Sequence, residues 1–370
     1  MKLIRIVAAA AVIILTLTGC SADLGRVPDI FTPAGDVSST AGNDNSDMTQ
    51  KELYELMTSE LRQFHNKVTM NGRIETQMIT DVMDLVQRKA PDIFWIDGYT
   101  ITSSGKKTEV IFEPIDGHTP AELQAMSEEL SNAAEEIIAS MPEGLMDYDR
   151  VLYVHDAIVR STAYDQTGVD AGRNGIWGTA YGCLVNGRAI CQGYSEAFVY
   201  MMNMLGIESG MCSGRAGTES HAWNYVRIGG DYYWIDVTWD DPESLDENDT
   251  AEGILRHTYF LINDDMLLRT RTIDPGQAFV PECSSIANNY FVRSGCYFDT
   301  YSIESLGWVM QRSGDERHVE IMFPDELTFS EAVSRLFDDG EIWELTDYVW
   351  LDDQISYSKD EVMYVLTISF

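Results

Sequence analysis

The chain has 370 residues, 60 of them acidic and 25 basic, with a formal charge of −35 and 45% hydrophobic content. So negative a surface, with no basic run, excludes a nucleic-acid binder, because duplex binding relies on Lys and Arg neutralising phosphates. The length and hydrophobic share supply one large core or two to three smaller ones.

In chain order, Met1-Lys2-Leu3-Ile4-Arg5 leads into an apolar run from Ile6 to Leu17 that closes at Leu17-Thr18-Gly19-Cys20. About a dozen apolar residues are too few for a spanning helix, which needs roughly 20. A positive start followed by a short apolar stretch is a signal peptide, here over residues 1–19. The four residues ending at Cys20 resemble the bacterial lipobox. That resemblance implies export, cleavage before Cys20, and a lipid on its sulfur holding the protein to the outer face of the cell membrane. Loss of Lys2 and Arg5 takes the formal charge from −35 to −37. Residues 20–46, rich in Ser, Asp, Gly, Asn and Thr, form a flexible tether.

With Cys20 lipidated, five cysteines remain: Cys183, Cys191, Cys212, Cys283 and Cys296. An odd number outside the cytoplasm leaves a free thiol. The local bridge that sequence distance favours is Cys283 with Cys296, subject to the Cα separation and direction a disulfide needs.

Residues 47–145 are expected to make an N-terminal α+β unit. Asp47-Met48-Thr49 is a helix entry, followed by Leu53, Leu56, Met57 and Leu61 at helical spacing. A second helix runs through Met78, Val82, Leu85 and Val86 and stops before Pro91. Alternation around residues 99–102 and 108–112 predicts a hairpin about Ser104-Gly105, and Thr119-Pro120 opens a third helix through Leu123, Met126, Leu130 and Ala134. His65 and His118 stand alone and are expected to be structural. Residues 146–275 hold the chemistry. Residues 276–370 make a C-terminal α+β unit, with strands at 318–323, 348–355 and 362–370 and a helix at 330–337.

Cys191 opens a helical segment in which Tyr194, Phe198, Met201, Met202 and Leu205 share a face and Gly206 supplies the stop. The unpaired N–H groups and positive dipole end of a helix N-terminus favour a thiolate. Further on, residues 221–228 and 231–239 are aromatic-rich runs joined by Gly229-Gly230, a hairpin pattern. With the glycines at the turn, Ile228 faces Asp231, His221 faces Thr238 and Trp223 faces Asp236. Alternation then puts His221 and Asp236 on one face as diagonal neighbours, an outcome that a one-residue slip would destroy. Imidazole can take a thiol proton and return it to a leaving amine, while a carboxylate on its other nitrogen fixes the tautomer. Cys191, His221 and Asp236 are therefore the expected catalytic triad.

The stretch Tyr181-Gly182-Cys183-Leu184 to Cys191-Gln192-Gly193-Tyr194-Ser195, with His221-Ala222-Trp223-Asn224 and Asp236-Val237-Thr238-Trp239-Asp240, closely resembles the bacterial transglutaminase-like core. The helix from Asp149 through Val151, Val154 and Ile158 to Tyr164-Asp165 and the run His257-Thr258-Tyr259-Phe260-Leu261 resemble its lead-in and closing strand. The resemblance covers about a third of the chain. It implies a papain-like α+β fold, a helix packed on an antiparallel sheet, and a thioester intermediate. It does not imply cross-linking, because the superfamily includes peptidases, amidases and members that have lost activity.

An oxyanion needs a second donor beside the backbone N–H of Cys191, and Gln192, Trp177 and Tyr181 are the candidates. No cofactor and no metal are expected. There is no Cys-x-x-Cys pair, His221 lacks a partner at ligand spacing, and the acidic run 240–249 is expected to be a solvated loop rather than a calcium site. The expected function is a cell-surface cysteine hydrolase acting on amide bonds of protein or peptide substrates, with wall-associated and other protein targets both left open. Two alternatives stand beside it: a protein-glutamine acyltransferase, and a non-catalytic envelope binding module that keeps the fold.

Overall fold

Two capping boxes set the first helices. Thr49 accepts the N–H of Glu52 while the Glu52 carboxylate accepts that of Thr49, at 3.3 and 2.8 Å, and helix Gln50–Arg62 starts there. Thr119 and Glu122 repeat the arrangement at helix Pro120–Ala139, with Pro120 in its first turn. Each such cap stabilises its helix by about 1 kcal/mol. The computed structural model describes residues 45, 47–170, 175–241, 255–314, 317–351 and 355–370, together with the backbone of Ile4–Ala8 and Ala11–Leu15. Cys20, the tether up to residue 44 and the acidic run from 242 onward lie outside the described residues. The chain is an α+β protein that divides into two compact units, Met1–Arg227 with Thr272–Pro281 and Ile228–Arg271 with Glu282–Phe370.

The first unit contains the expected helices Gln50–Arg62, Thr76–Lys89 and Pro120–Ala139, and the expected hairpin, Ile96–Ser104 with Lys107–Pro114, closes at Ser104 opposite Lys107. Strand Lys67–Asn71 joins the hairpin antiparallel and buries Val68 and Met70; two apolar residues in five give too short an alternation to be read from sequence. On its other side Ile96–Ser104 runs parallel to Ile4–Ala8, which pairs antiparallel with Ala11–Leu15. His65 faces Glu60 at 2.8 Å and His118 faces Glu122 at 3.9 Å, both within local helix-end pairs.

Helix Cys191–Leu205 is the axis of the unit's second half. Tyr194, Ala197, Phe198, Met201 and Met202 are completely buried, and Gly206 ends the helix at φ 69°. It packs on the antiparallel pair Ser209–Ala216 and Glu219–Ile228, whose register sets Gly214 opposite His221 and Met211 opposite Asn224. Lys89, at the end of its helix, donates to the carbonyl of Ser209 at 2.6 Å and lies 4.7 Å over the Tyr225 ring; burial pushes its amine down to about 8.

In the second unit, Asp231–Ile235 pairs antiparallel with Phe260–Ile262, and His318–Met322, Val365–Ser369 and Ser356–Asp360 form a three-stranded sheet in that order. His257 stacks on Tyr290 at 3.9 Å and faces the buried Glu320 carboxylate at 3.3 Å. Three expectations are corrected. No strand forms over residues 348–351, the described start of the expected strand at 348–355: 3-10 turns at Glu341–Asp347, burying Ile342 and Leu345 three residues apart, lead into them, residues 352–354 lie outside the described residues, and a strand begins at Ser356. The helix at 330–337 starts earlier, at Glu326, because Asp325 caps it by accepting the N–H of Thr328 at 2.8 Å. Cys283 and Cys296 are buried but unbridged, as are Cys183 and Cys212. Among the described residues no helix is long and apolar enough to cross a membrane.

Candidate active site

Cys191 is the first residue of its helix, half-buried, and lies against Val199, Met211 and Ala222. The residue before it, Ile190, has no side chain that can cap, so the first helical N–H groups face whatever lies in front of the helix. Backbone close approach builds this end. The N–H of Ile190 donates to the carbonyl of Trp177 at 2.9 Å, and a side chain on Gly193 would come within 2.6 Å of that same carbonyl and 2.8 Å of Ala189. Gly182 is as tight, since a Cβ there would meet the carbonyl of Ile176 at 2.2 Å. The glycines of the motif are thus explained by contact, with no special backbone angle needed.

His221 lies in strand Glu219–Ile228, buried, with its ring 5.9 Å from that of Trp223 at an interplanar angle of 23°. Ala222 and Asn224 point the other way, toward the helix: Ala222 belongs to the small cluster on which Cys191 packs, and Asn224 donates from Nδ2 to the carbonyls of Ser195 at 3.0 Å and Gly210 at 3.4 Å. Sequence reasoning quoted Asn224 and gave it no role. Its place as the sixth residue of strand Glu219–Ile228, on the helix side, is the signal that identifies it as a clamp.

Asp236 follows the end of strand Asp231–Ile235, at 1% exposure. The expected extended run to Trp239 stops there because the Asp236 carboxylate turns the chain: its Oδ1 accepts the N–H of Trp239 at 3.2 Å, and its carbonyl accepts the N–H of Asp240 at 3.2 Å. Oδ2 accepts from Nε and Nη2 of Arg271 at 3.2 and 2.7 Å. Arg271 is a residue of this site that sequence reasoning missed; a lone arginine 35 positions away carries no signal.

The three oxyanion candidates differ in their surroundings. Tyr181 donates its hydroxyl to Glu129 and stacks on Phe94 at 5.5 Å; burial and the Glu129 carboxylate push the phenol up to about 12. Gln192 donates its amide to Glu196 on its own helix at 2.8 Å. Trp177 buries an indole Nε1 that has no partner among the described residues, so its donor alone of the three is uncommitted there.

Residues 133–239 match the family model of the transglutaminase-like superfamily, a span that includes Cys191, His221 and Asp236. They form a transglutaminase-like domain. Two solved structures are similar to the chain. One is a TGase, with 14% identity over 46% of this chain and 50% of that one and a TM-score of 0.28. The other is a candidate cysteine protease from Cytophaga hutchinsonii, with 15% identity over 37% and 54% and a TM-score of 0.26. The chain spans about half the length of each. No curated protein matches it.

Within the transglutaminase-like domain the glycine at position 193 is a direct test of how the nucleophile's helix is seated. Alanine is the better helix former. The contacts on the Trp177 carbonyl and Ala189 nevertheless make Gly193→Ala an overpacking change, expected to cost about 1–3 kcal/mol and to displace the helix start. A lower melting temperature together with slower alkylation of Cys191 is the expected result; a variant that melts like the wild type would show that the close approach does not exist.

Proposed function

We propose that the protein is an exported cysteine hydrolase acting on amide bonds of protein or peptide substrates. In this reading Cys191 is the nucleophile, His221 the base and acid, and Asp236 the carboxylate that orients the imidazole. The observation that carries it is Cys191 at the first position of a helix whose N-terminus no side chain caps. That end offers backbone N–H groups to a developing oxyanion and favours a thiolate. The reading requires Cys191 and His221 to meet around the start of the strand, where Ala222 is their shared neighbour. It also requires the Asp236 carboxylate, in the turn that follows strand Asp231–Ile235, to reach the His221 ring.

In the first step the Cys191 sulfur bonds to the amide carbon and its proton passes to His221; the C–N bond then breaks and the amine leaves with that proton. A water molecule next gives a proton to His221 and attacks the thioester, releasing the acid and restoring the thiol. Water is favoured over lysine as acceptor. Amine transfer needs an apolar channel that excludes water. The tryptophans near the motifs are committed to packing: Trp223 is fully buried on His221, Trp234 donates to Asp264 at 2.7 Å, and Trp239 lies 4.0 Å from the Arg271 guanidinium. The strong negative charge also holds approaching lysines as ammonium, which is not nucleophilic.

A glutamine-containing protein offered with a fluorescent primary amine tests the chemistry. Cleavage or deamidation, lost in Cys191→Ala, is expected, with little amine incorporated. Stoichiometric incorporation would assign the chain to acyl transfer instead, and no turnover with any amide substrate would favour a binding module.

Anchoring through Cys20 completes the proposal and would place the enzyme on the outer face of the membrane, in which case the pairing at residues 4–15 belongs to the precursor. Cys20→Ala is then expected in the soluble fraction; a variant that still sediments with membranes would contradict the anchor.

A further inference from the structure

We infer that Arg271 is the positioning residue for Asp236, a dedicated guanidinium that holds the carboxylate charged and aimed. The inference rests on the triad reading above. Both side chains are removed from water, at 0% and 1% exposure, and both Nε and Nη2 of Arg271 reach the same oxygen, Oδ2, at 3.2 and 2.7 Å. Among the described residues each side-chain hydrogen bond of Arg271 goes to Asp236, and Nη1 has none. Its faces are covered by aromatic rings, with the central carbon 4.0 Å from the Trp239 ring centre and 4.6 Å from that of Tyr259.

Burying a pair of charges is a poor way to gain stability, because desolvation offsets most of the attraction and an apolar pair of similar volume does as well or better. What the pair does secure is geometry and ionisation. A carboxylate oxygen has about two acceptor positions. Arg271 fills both on Oδ2, and the Trp239 N–H takes one on Oδ1 at 3.2 Å. Under the triad reading the same carboxylate also accepts an N–H of His221. Trp239 therefore acts twice, its backbone fixing one oxygen and its ring one face of the arginine that fixes the other. Two further titratable groups lie near this pair: Tyr259, whose phenol is raised chiefly by burial, and Asp240, whose carboxylate accepts the N–H of Tyr259 at 2.9 Å. Neither supplies a positive charge. Without Arg271 the buried carboxyl would take up a proton and lose its hold on the imidazolium.

The test is the pH profile of Cys191 alkylation by iodoacetamide, monitored by mass spectrometry in the full chain, for wild type, His221→Ala, Asp236→Asn, Arg271→Gln and Arg271→Lys. The alkaline plateau reports that the site is folded. With that plateau kept, Arg271→Gln is expected to slow alkylation near neutral pH roughly tenfold, as Asp236→Asn does. Arg271→Lys, with one nitrogen in place of two, is expected between Arg271→Gln and wild type. If Arg271→Gln does not fold, Arg271→Lys decides alone. An arginine that serves only the fold would lower the melting temperature and leave the profile where it was. A wild-type profile in a folded Arg271 variant, with His221→Ala and Asp236→Asn shifted, overturns the inference and leaves the triad standing. An unshifted His221→Ala overturns the triad itself.

Discussion

Asn224 ties the middle of the Cys191 helix to the strand that carries His221, and the rest of the proposed chemistry depends on that tie. Its amide spans two carbonyls, Ser195 on the helix at 3.0 Å and Gly210 on the neighbouring strand at 3.4 Å, in a place where it is 1% exposed. Buried carbonyls left without a donor cost free energy on the order of 1–3 kcal/mol, so the amide fixes the spacing of helix and strand as much as it stabilises them. The glycines complete the constraint from the other side. Gly182 and Gly193 let the loop backbone at Ile176 and Trp177 come close enough to seat the helix start, leaving Cys191 against Ala222.

The buried charges follow the same logic of position before stability. A chain this acidic has negative charge to spare on its surface, where a single ion pair contributes little. Among the described residues, two facing pairs are buried on both sides, and each joins residues far apart in the sequence. Arg271 with Asp236 sits beneath aromatic rings, and His257 faces Glu320 across 3.3 Å. The thiols differ in the same way. Burial raises Cys212 to about 12 and raises Cys296 as well, which makes both inert, whereas among the described cysteines Cys191 is the one that is only partly covered.

Much of this was legible in the sequence where the signal was local. Thr49 and Thr119 with acids three residues on, Pro120, Gly206 and the paired glycines at 229–230 mark ends and turns through contacts with their immediate neighbours, and the structure puts those ends where the residues say. The motifs around Cys191, His221 and Asp236 were legible because three separated patterns occur in order, and the family match covers them. What was not legible depends on distant residues. Arg271 has meaning only once the fold brings it to Asp236, and the strand that should have reached Trp239 ends at Ile235 because the Asp236 carboxylate accepts a backbone N–H three residues ahead. The same holds for the Cys283–Cys296 bridge, where closeness along the chain gives no information about the direction of the two side chains.

The central claim is that Cys191 is a nucleophile activated in place, and the most direct measurement is labelling of the native protein with an amide-like, thiol-reactive electrophile, followed by mapping of the modified residue. The account predicts modification at Cys191 alone, fast in the wild type and strongly slowed in His221→Ala, with Cys183, Cys212, Cys283 and Cys296 reacting only after unfolding. Labelling that falls equally on the buried thiols, or that proceeds at Cys191 at the same rate without His221, would contradict it.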